Sequence, residues 1–408
     1  RDGCARDAPD SGIVPVAGLD LLPSLLPVAA FPAPCGVDPD CFPNLCAIEP
    51  NVSEHSPHRA EHLTVFRFCA ALIVVIHHYG REATGFGGFA VAGPQMVTFF
   101  FALSGFVMML AYGAQPVLAV RHYWLARVAR ILPAYWLAML LGLGLSLHLH
   151  HPPGGAAALL HALLLQAWWP TEALTINPPA WSLSVEAAFY FAFPLLLPAL
   201  KKATPARGAA LALLFWAVTQ AALLALMHAV PDAPKGSWTF NAVLYHPLSH
   251  LCSFVLGMAA ARVYVCRPLM GGWIEHALLG GLSLLLLLGV GSETRLTKIT
   301  GIDFAYGASF WSPAFALWIL LFARLRNGVA QFFAQRWAVH CGDISYGVYI
   351  YQAPLHLLWV TVLHRNTTSP PSFAAFLLAL LFLAHCSHAI FERPLQGWIR
   401  QRFSGRRA

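Results

Sequence analysis

The chain has 408 residues, 58% hydrophobic and 11% charged, and 25 Lys+Arg against 18 Asp+Glu leave a formal charge of +7. Soluble domains run at about 45–50% apolar and about 25% charged. With a mean hydropathy of +0.61, this composition excludes a soluble enzyme, a disordered protein and a disulfide-stapled secreted module, and leaves a polytopic, all-α transmembrane helix bundle.

Residues 1–60 are rich in Pro, Asp and Cys and open on Arg1. The stretch 12–31 is moderately apolar, but Pro15, Pro23, Pro27 and Asp20 make it a poor spanning helix, and it has no clear basic n-region or cleavage site. It reads as a disordered or non-native extension ahead of a transmembrane domain over 61–396 and a basic tail over 397–408. A spanning helix needs about 20 apolar residues. Such stretches lie near 63–82, 95–114, 130–149, 181–200, 208–229, 245–265, 273–291, 306–324, 342–363 and 373–392. An eleventh, 156–169, is short and ends in Trp168, Trp169 and Pro170, which suits a re-entrant or interfacial helix.

Basic residues mark the cytoplasmic side of a membrane protein. They cluster at Arg121, Arg127 and Arg130, at Lys201, Lys202 and Arg207, at Arg262 and Arg267, at Arg324, Arg326 and Arg336, and after Glu392. If 156–169 does not cross, all of these clusters share one side. Ten spans with both termini cytoplasmic is therefore the expected topology, with Arg295 and Lys298 as the exception, partly offset by Glu293 and Asp303. Because the arginines lie between apolar segments rather than on a patch, nucleic acid is not an expected partner; membrane lipid is. The nine cysteines form no CxxC pair, and Cys35, Cys41 and Cys46 match no common zinc spacing, so neither a metal nor a disulfide framework is expected.

Ionisable residues inside a span cost several kcal/mol unless paired or wetted, and are functional candidates by default. The first span carries Arg67, His77 and His78. At about 100° per residue, the eleven steps from Arg67 to His78 come within about 20° of whole turns, placing the two on one stripe about 16 Å apart; His77 points about 80° away. Two readings stay open on geometry alone. Arg67 and His78 line one polar tunnel with the imidazole as a base, or Arg67 snorkels to the interface and His78 caps the outer end.

Arg67, ten intervening residues and His78, set in Leu63-Thr-Val-Phe-Arg-Phe-Cys-Ala-Ala-Leu72, resemble the opening of the acyltransferase family 3 membrane proteins. Five further stretches are similar to that family in the same order: Phe99-Phe-Phe-Ala-Leu-Ser-Gly-Phe106, Arg127-Val-Ala-Arg-Ile-Leu-Pro-Ala-Tyr-Trp136, Trp181-Ser-Leu-Ser-Val-Glu186, Gly342-Asp-Ile-Ser-Tyr-Gly-Val-Tyr349 and Phe391-Glu-Arg-Pro394. The resemblance covers about 63–400. It implies an integral-membrane O-acyltransferase with acyl-CoA, most simply acetyl-CoA, as donor. It also implies His78 as the catalytic base and Arg67 as its support; His77 stands where relatives often carry an aromatic residue. The acceptor is expected to be a hydroxyl of an exported or lipid-linked glycan.

Arg127 and Arg130 project from neighbouring positions of one helix face. They enforce orientation whatever else they do, and a guanidinium pair also suits the phosphates of the coenzyme A that the resemblance implies. Glu186 is the acid of the span 181–200; it is a candidate to orient His78, pair with Arg67 or bind the acceptor, or is a structural ion-pair partner. Ser104 and Gly105 read as close-packing residues, Asp343 as a helix cap, and Glu392 with Arg393 as the closure of the last helix. His246 and His250 lack a third metal ligand, and His385 and His388 read as interfacial. Where many relatives carry an acid before the Phe-Phe run this chain has Thr98, and where they often carry His it has Gln352. With 16 residues after position 392, no appended extracytoplasmic domain is expected, so transfer finishes in the bundle or with a separate partner protein. The alternative reading is a transporter or exporter that uses Arg67, His78 and Glu186 as a polar relay.

Overall fold

The computed structural model describes residues 61–85, 92–230, 233–266, 272–290 and 309–403, within a compact unit of residues 48–408. The extension over 1–60 lies outside the described residues. Among those described there are helices and connections but no strand, as expected of backbone that must satisfy its own hydrogen bonds in lipid. Besides the single turn Arg81–Thr84, the described α-helices are α1 (Thr64–Val75), α2 (Gly93–Tyr112), α3 (Val120–His148), α4 (Gly155–Ala162), α5 (Trp181–Lys202), α6 (Pro205–Ala229), α7 (Trp238–Tyr245) and α8 (Pro247–Cys266). They continue with α9 (Gly272–Val290), α10 (Ser312–Ala323), α11 (Gly328–Phe333), α12 (Arg336–Thr361), α13 (Pro370–Cys386) and α14 (Arg393–Phe403).

Among the described residues, eight helical stretches are long and apolar enough to cross a membrane. They include α1 with its continuation to Thr84, α7 with α8, and α13 with α14. The other two expected spans are more instructive. The described part of 306–324 is α10, a helix of 12 residues. Over 342–363 runs α12, whose 26 residues reach about 39 Å but carry Arg336, His340, Asp343, Gln352 and His356. Its polarity is accommodated by packing. Gly342 meets Thr64 of α1, where a Cβ would fall 2.2 Å from Cγ2, and Gly347 meets Ala384 of α13, where it would fall 3.0 Å from Cβ. Tyr346 donates its hydroxyl to the Ile131 carbonyl of α3 at 2.8 Å. Since the helix begins at Arg336, Asp343 sits two turns inside it and is not its cap.

The short apolar stretch forms no helix long enough to cross. α4 has eight residues, about 12 Å of rise against a hydrocarbon core of about 30 Å. Three 3₁₀ turns follow it, Gln166–Trp168, Pro170–Glu172 and Pro178–Ala180. Side chains pin this segment to the bundle. The Gln166 amide donates to the Ala180 carbonyl at 2.9 Å, and Asn177 donates to the Ile350 carbonyl at 3.0 Å. Ser184 Oγ donates to the Leu164 carbonyl and accepts from the Ala167 amide. Burial of His161 lowers its imidazole pKa below the ordinary value, which favours the neutral ring facing the Glu172 carbonyl at 3.1 Å.

Among the described residues, α2 and α8 approach backbone to backbone, without side chains between them at Gly105 and Gly257. A Cβ on Gly105 would lie 2.0 Å from the Phe254 carbonyl oxygen, and one on Gly257 would lie 1.9 Å from that of Ala102. Small residues at such crossings let backbones pack directly, the main source of helix adhesion where lipid is as apolar as protein. Gly105 thus has the packing role expected of it. α6 and α9 lie at the periphery, with 11% and 17% of their apolar windows buried. A buried ion pair, Arg324 with Glu275 at 3.1 Å, ties α9 to the end of α10.

Gly105→Ala and Gly257→Ala are expected to destabilise by at least the roughly 1–3 kcal/mol typical of overpacking. Gly280→Ala, with no heavy atom within 4 Å of its added Cβ, is expected to be neutral or slightly stabilising. Thermal midpoints in detergent compare the three; equal midpoints would contradict the α2–α8 contact.

Candidate functional site

A cavity of about 430 Å³ opens among α1, α2, α3, α5, α12 and α14. Four of the five sequence-predicted site residues line it: Arg67 from α1, Arg127 and Arg130 from α3, and Glu186 from α5. Each is placed by a simple device. Arg67 lies one turn into α1, whose Thr64 is held against Gly342. Arg127 and Arg130 stand one turn apart on α3, which Tyr123 fastens to α5 by donating its hydroxyl to the Tyr190 carbonyl at 2.8 Å.

Glu186 Oε1 accepts two hydrogen bonds, from Ser104 Oγ at 3.1 Å and from the Tyr190 hydroxyl at 2.6 Å. Ser104 is therefore more than a small packing residue, because it holds the carboxylate from α2. The same Tyr190 ring and that of Tyr112 lie 5.6 and 5.8 Å from the Arg127 guanidinium carbon, within cation–π range. Arg127 also has weak contacts with Met108 Sδ at 3.3 Å and the Tyr112 hydroxyl at 3.5 Å, while its buried Nε has no partner. Among the described residues, neither Arg67, Arg127 nor Arg130 has a carboxylate within 4.0 Å. The same cavity is lined by the carboxylates of Glu61, Glu186, Asp343 and Glu392, but with none of them closed onto these three guanidiniums, their N–H donors are open to an incoming anion.

The wall includes groups to which the sequence reading gave no such place. Asp343 reaches it from α12. Glu392, expected to close the last helix, is 3% exposed, lines the cavity and accepts from Ser387 Oγ at 2.8 Å. The chain does not stop there. A six-residue π-helical stretch, Ser387–Glu392, runs straight into α14, which adds Gln396 and Arg400 to the wall. Farther along, Ser182 Oγ and the Tyr349 hydroxyl lie 2.9 Å apart, and Phe100 packs edge-on to Tyr349. Both belong to quoted motifs, Trp181-Ser and Ser-Tyr-Gly-Val-Tyr349, so the signal was present but the pairing was not.

His78 does not line this cavity, although its counted angle put it on the stripe of Arg67. The count assumes an unbroken α-helix, and α1 ends at Val75. Ile76–Gly80 is a five-residue π-turn, whose wider i→i+5 bonding changes the rotation per residue. His78 Nδ1 lies 2.9 Å from Gln352 Oε1 of α12, and Gln352 Nε2 donates to the Tyr349 carbonyl at 2.8 Å. One buried glutamine therefore links the histidine to the residue at the cavity wall. His77 takes a different direction. Its Nδ1 faces Arg81 Nη2 at 3.0 Å, and its Cβ sits where a Cβ on Gly93 would fall, 2.4 Å away.

Among the described residues, no group of three His, Cys, Asp or Glu side chains is arranged to hold a metal. His250 is fully buried between Ser309 Oγ at 3.0 Å and the Leu244 carbonyl at 2.8 Å, and His246 packs edge-on to Trp168. His385 pairs with His340 at 3.0 Å, while His388 lines the cavity.

Residues 61–387 match the family described as Acyltransferase domain. The chain is also similar to Acyltransferase MdmB of Streptomyces mycarofaciens, with 27% identity over 371 residues that cover 82% of this chain and 91% of that protein. No solved structure matches it.

The unpaired arginines predict anion binding that is independent of turnover. Inorganic pyrophosphate is expected to raise the thermal midpoint of the detergent-purified protein, approaching about 2.7 kcal/mol at a hundredfold excess over Kd. Arg127→Gln with Arg130→Gln is expected to remove most of that gain. An undiminished gain in the double variant would place the anion elsewhere.

Proposed function

The chain belongs to the acyltransferase family that its residues 61–387 match, and from that premise we propose that it is an O-acyltransferase. In this reading it moves an acyl group, most simply acetyl, from acyl-CoA to a hydroxyl of an exported or lipid-linked glycan. The observation that carries the reading is the one cavity that Arg67, Arg127 and Arg130 all line, with no carboxylate within 4.0 Å of any of them among the described residues. Coenzyme A brings phosphates to such a site, and planar guanidiniums suit them better than ammonium groups would. Arg127 and Arg130 hold the donor phosphates, and Arg67, deeper on α1, completes the cationic wall. The apolar side chains between them accommodate the less polar arm that carries the thioester.

The chemistry asked of the protein is modest. His78 accepts the proton of the acceptor hydroxyl as its oxygen attacks the thioester carbonyl. The carbonyl π electrons move onto oxygen in a tetrahedral intermediate, which collapses to the ester as the C–S bond breaks and the CoA thiolate leaves. The thiolate recovers a proton, and His78 returns to its neutral form. Glu186, fixed by Ser104 and Tyr190, balances the cationic wall while leaving the arginines free for phosphate. Mechanistically, no metal is needed for this transfer. The protein is a multi-pass membrane protein; in this reading it lies in the cell membrane with both termini cytoplasmic, takes the donor from the cytoplasm and is surrounded by lipid. The acceptor comes from the opposite side or from within the bilayer, or is presented by a separate extracytoplasmic protein.

The test is release of free CoA from acetyl-CoA by purified protein with mixed envelope glycans as acceptor. His78→Ala is expected to lower kcat at least a hundredfold, within the roughly 10²–10⁴-fold range of general base catalysis; His77→Ala is expected to keep most activity. Equal loss in both variants would overturn the assignment of the base. Arg127→Ala with Arg130→Ala is expected to raise the KM for acetyl-CoA roughly tenfold or more, at a cost of at least about 1.4 kcal/mol in donor binding. An unchanged KM would leave the pair with orientation alone.

A further inference from the structure

The partner of His78 is set by hydrogen-bond arithmetic. Gln352 is fully buried on α12. Its amide has one atom that accepts and one that donates. The donor is committed to the Tyr349 carbonyl at 2.8 Å, a group that can only accept, so the orientation of the amide follows from the network. Its oxygen therefore faces His78 Nδ1 at 2.9 Å. A carbonyl oxygen cannot donate, so that ring nitrogen must carry the hydrogen. In the neutral ring the lone pair then resides on Nε2.

We propose that Gln352 is a positioning residue that holds His78 in the Nδ1–H tautomer, so that Nε2 is the nitrogen that takes the acceptor's proton. The inference rests on the reading of His78 as the base and adds the atom at which it works. It also explains how a histidine carried on a π-turn keeps a defined direction. α12, itself fixed to α1 at Gly342 and to α13 at Gly347, supplies a second point of attachment beyond the chain of the turn.

The choice of an amide has a consequence. A carboxylate at this position would orient the ring equally well and would also stabilise its charged form. Among the described residues, the groups that surround His78 do not supply that stabilisation. His77 lies at 5.2 Å and Tyr79 at 5.6 Å between ring centroids on its own turn, and Arg81 follows, bonded to His77. From α12, His356 stacks on Tyr79 at 4.0 Å; from α13, Phe376 packs on Tyr79 and is apolar. With an amide as its partner, His78 is kept oriented without an adjacent negative charge favouring imidazolium.

The experiment uses the full-length protein, purified in detergent, on a donor and glycan pair that wild type turns over, with kcat and KM measured across pH. Gln352→Met keeps the volume but removes the acceptor, and Gln352→Glu restores an acceptor bearing charge. The Met variant is expected to lose roughly a hundredfold in kcat, the scale of a misplaced catalytic group, with the KM for acetyl-CoA unchanged. The Glu variant is expected to keep turnover. Its carboxylate favours the imidazolium, so the acidic limb of its kcat–pH profile moves roughly one to three units upward. A Gln352→Met variant with wild-type kcat, or a Gln352→Glu variant with an unmoved acidic limb, would overturn the tautomer role while an inactive His78→Ala left the base in place. An active His78→Ala would overturn the base, and the inference with it. Should the Met variant fail to fold, the pH limb of the Glu variant decides.

Discussion

A guanidinium inside an apolar bundle must be solvated by something, and much of the described architecture follows from how this chain meets that demand. Arg127 rests between the faces of Tyr112 and Tyr190, and Tyr190 in turn donates to Glu186, which Ser104 also holds. Removing any one of these would leave charge in a medium that penalises it steeply. The cation, the rings and the carboxylate therefore form one electrostatic unit built from α2, α3 and α5. The unit is balanced without closing the cations into salt bridges, so their donors stay available to an incoming anion.

That arrangement needs a rigid frame, which small residues supply. α2 and α8 touch backbone to backbone at Gly105 and Gly257, and α12 touches α1 at Gly342. Contacts without intervening side chains have little room to adjust, so they fix where the polar side chains of the same helices project. The polar helix α12 is the clearest case. It would be a poor span by itself, yet it is enclosed by α1, α3 and α13 and presents Asp343, Tyr346 and Tyr349 to the cavity.

Much of this was legible in the sequence, for physical reasons. Composition fixes the membrane class because apolar surface on this scale has no other solvent, and the length of 156–169 already argued against a crossing, for which α4 is too short. Gly105 was readable as a packing residue. Arg67 and Glu186 stand out because charge inside a span is rare, Arg127 and Arg130 because they pair on one helix face, and the structure gathers all four around one cavity. What the sequence hid were departures from regular geometry. The angle from Arg67 to His78 was computed for an unbroken α-helix, and the π-turn at Ile76–Gly80 cannot be read from apolar spacing. Asp343 was taken for a cap because the apolar run starts near it, while the helix itself starts at Arg336 in polar sequence. Glu392 with Arg393 reads as the closure of the last helix, yet the helix continues through Pro394, which follows directly on the π-helical stretch Ser387–Glu392, where the hydrogen-bond register is already altered.

The continuation through that proline bears on how the protein can be handled. α14 contributes Gln396 and Arg400 to the cavity wall although it lies beyond the stretch that matches the family. A reporter or affinity label joined just after residue 403 would begin at the end of the helix that forms this wall. Such a label starts within one turn of Arg400, so the length of the spacer between helix and label becomes an experimental variable in its own right.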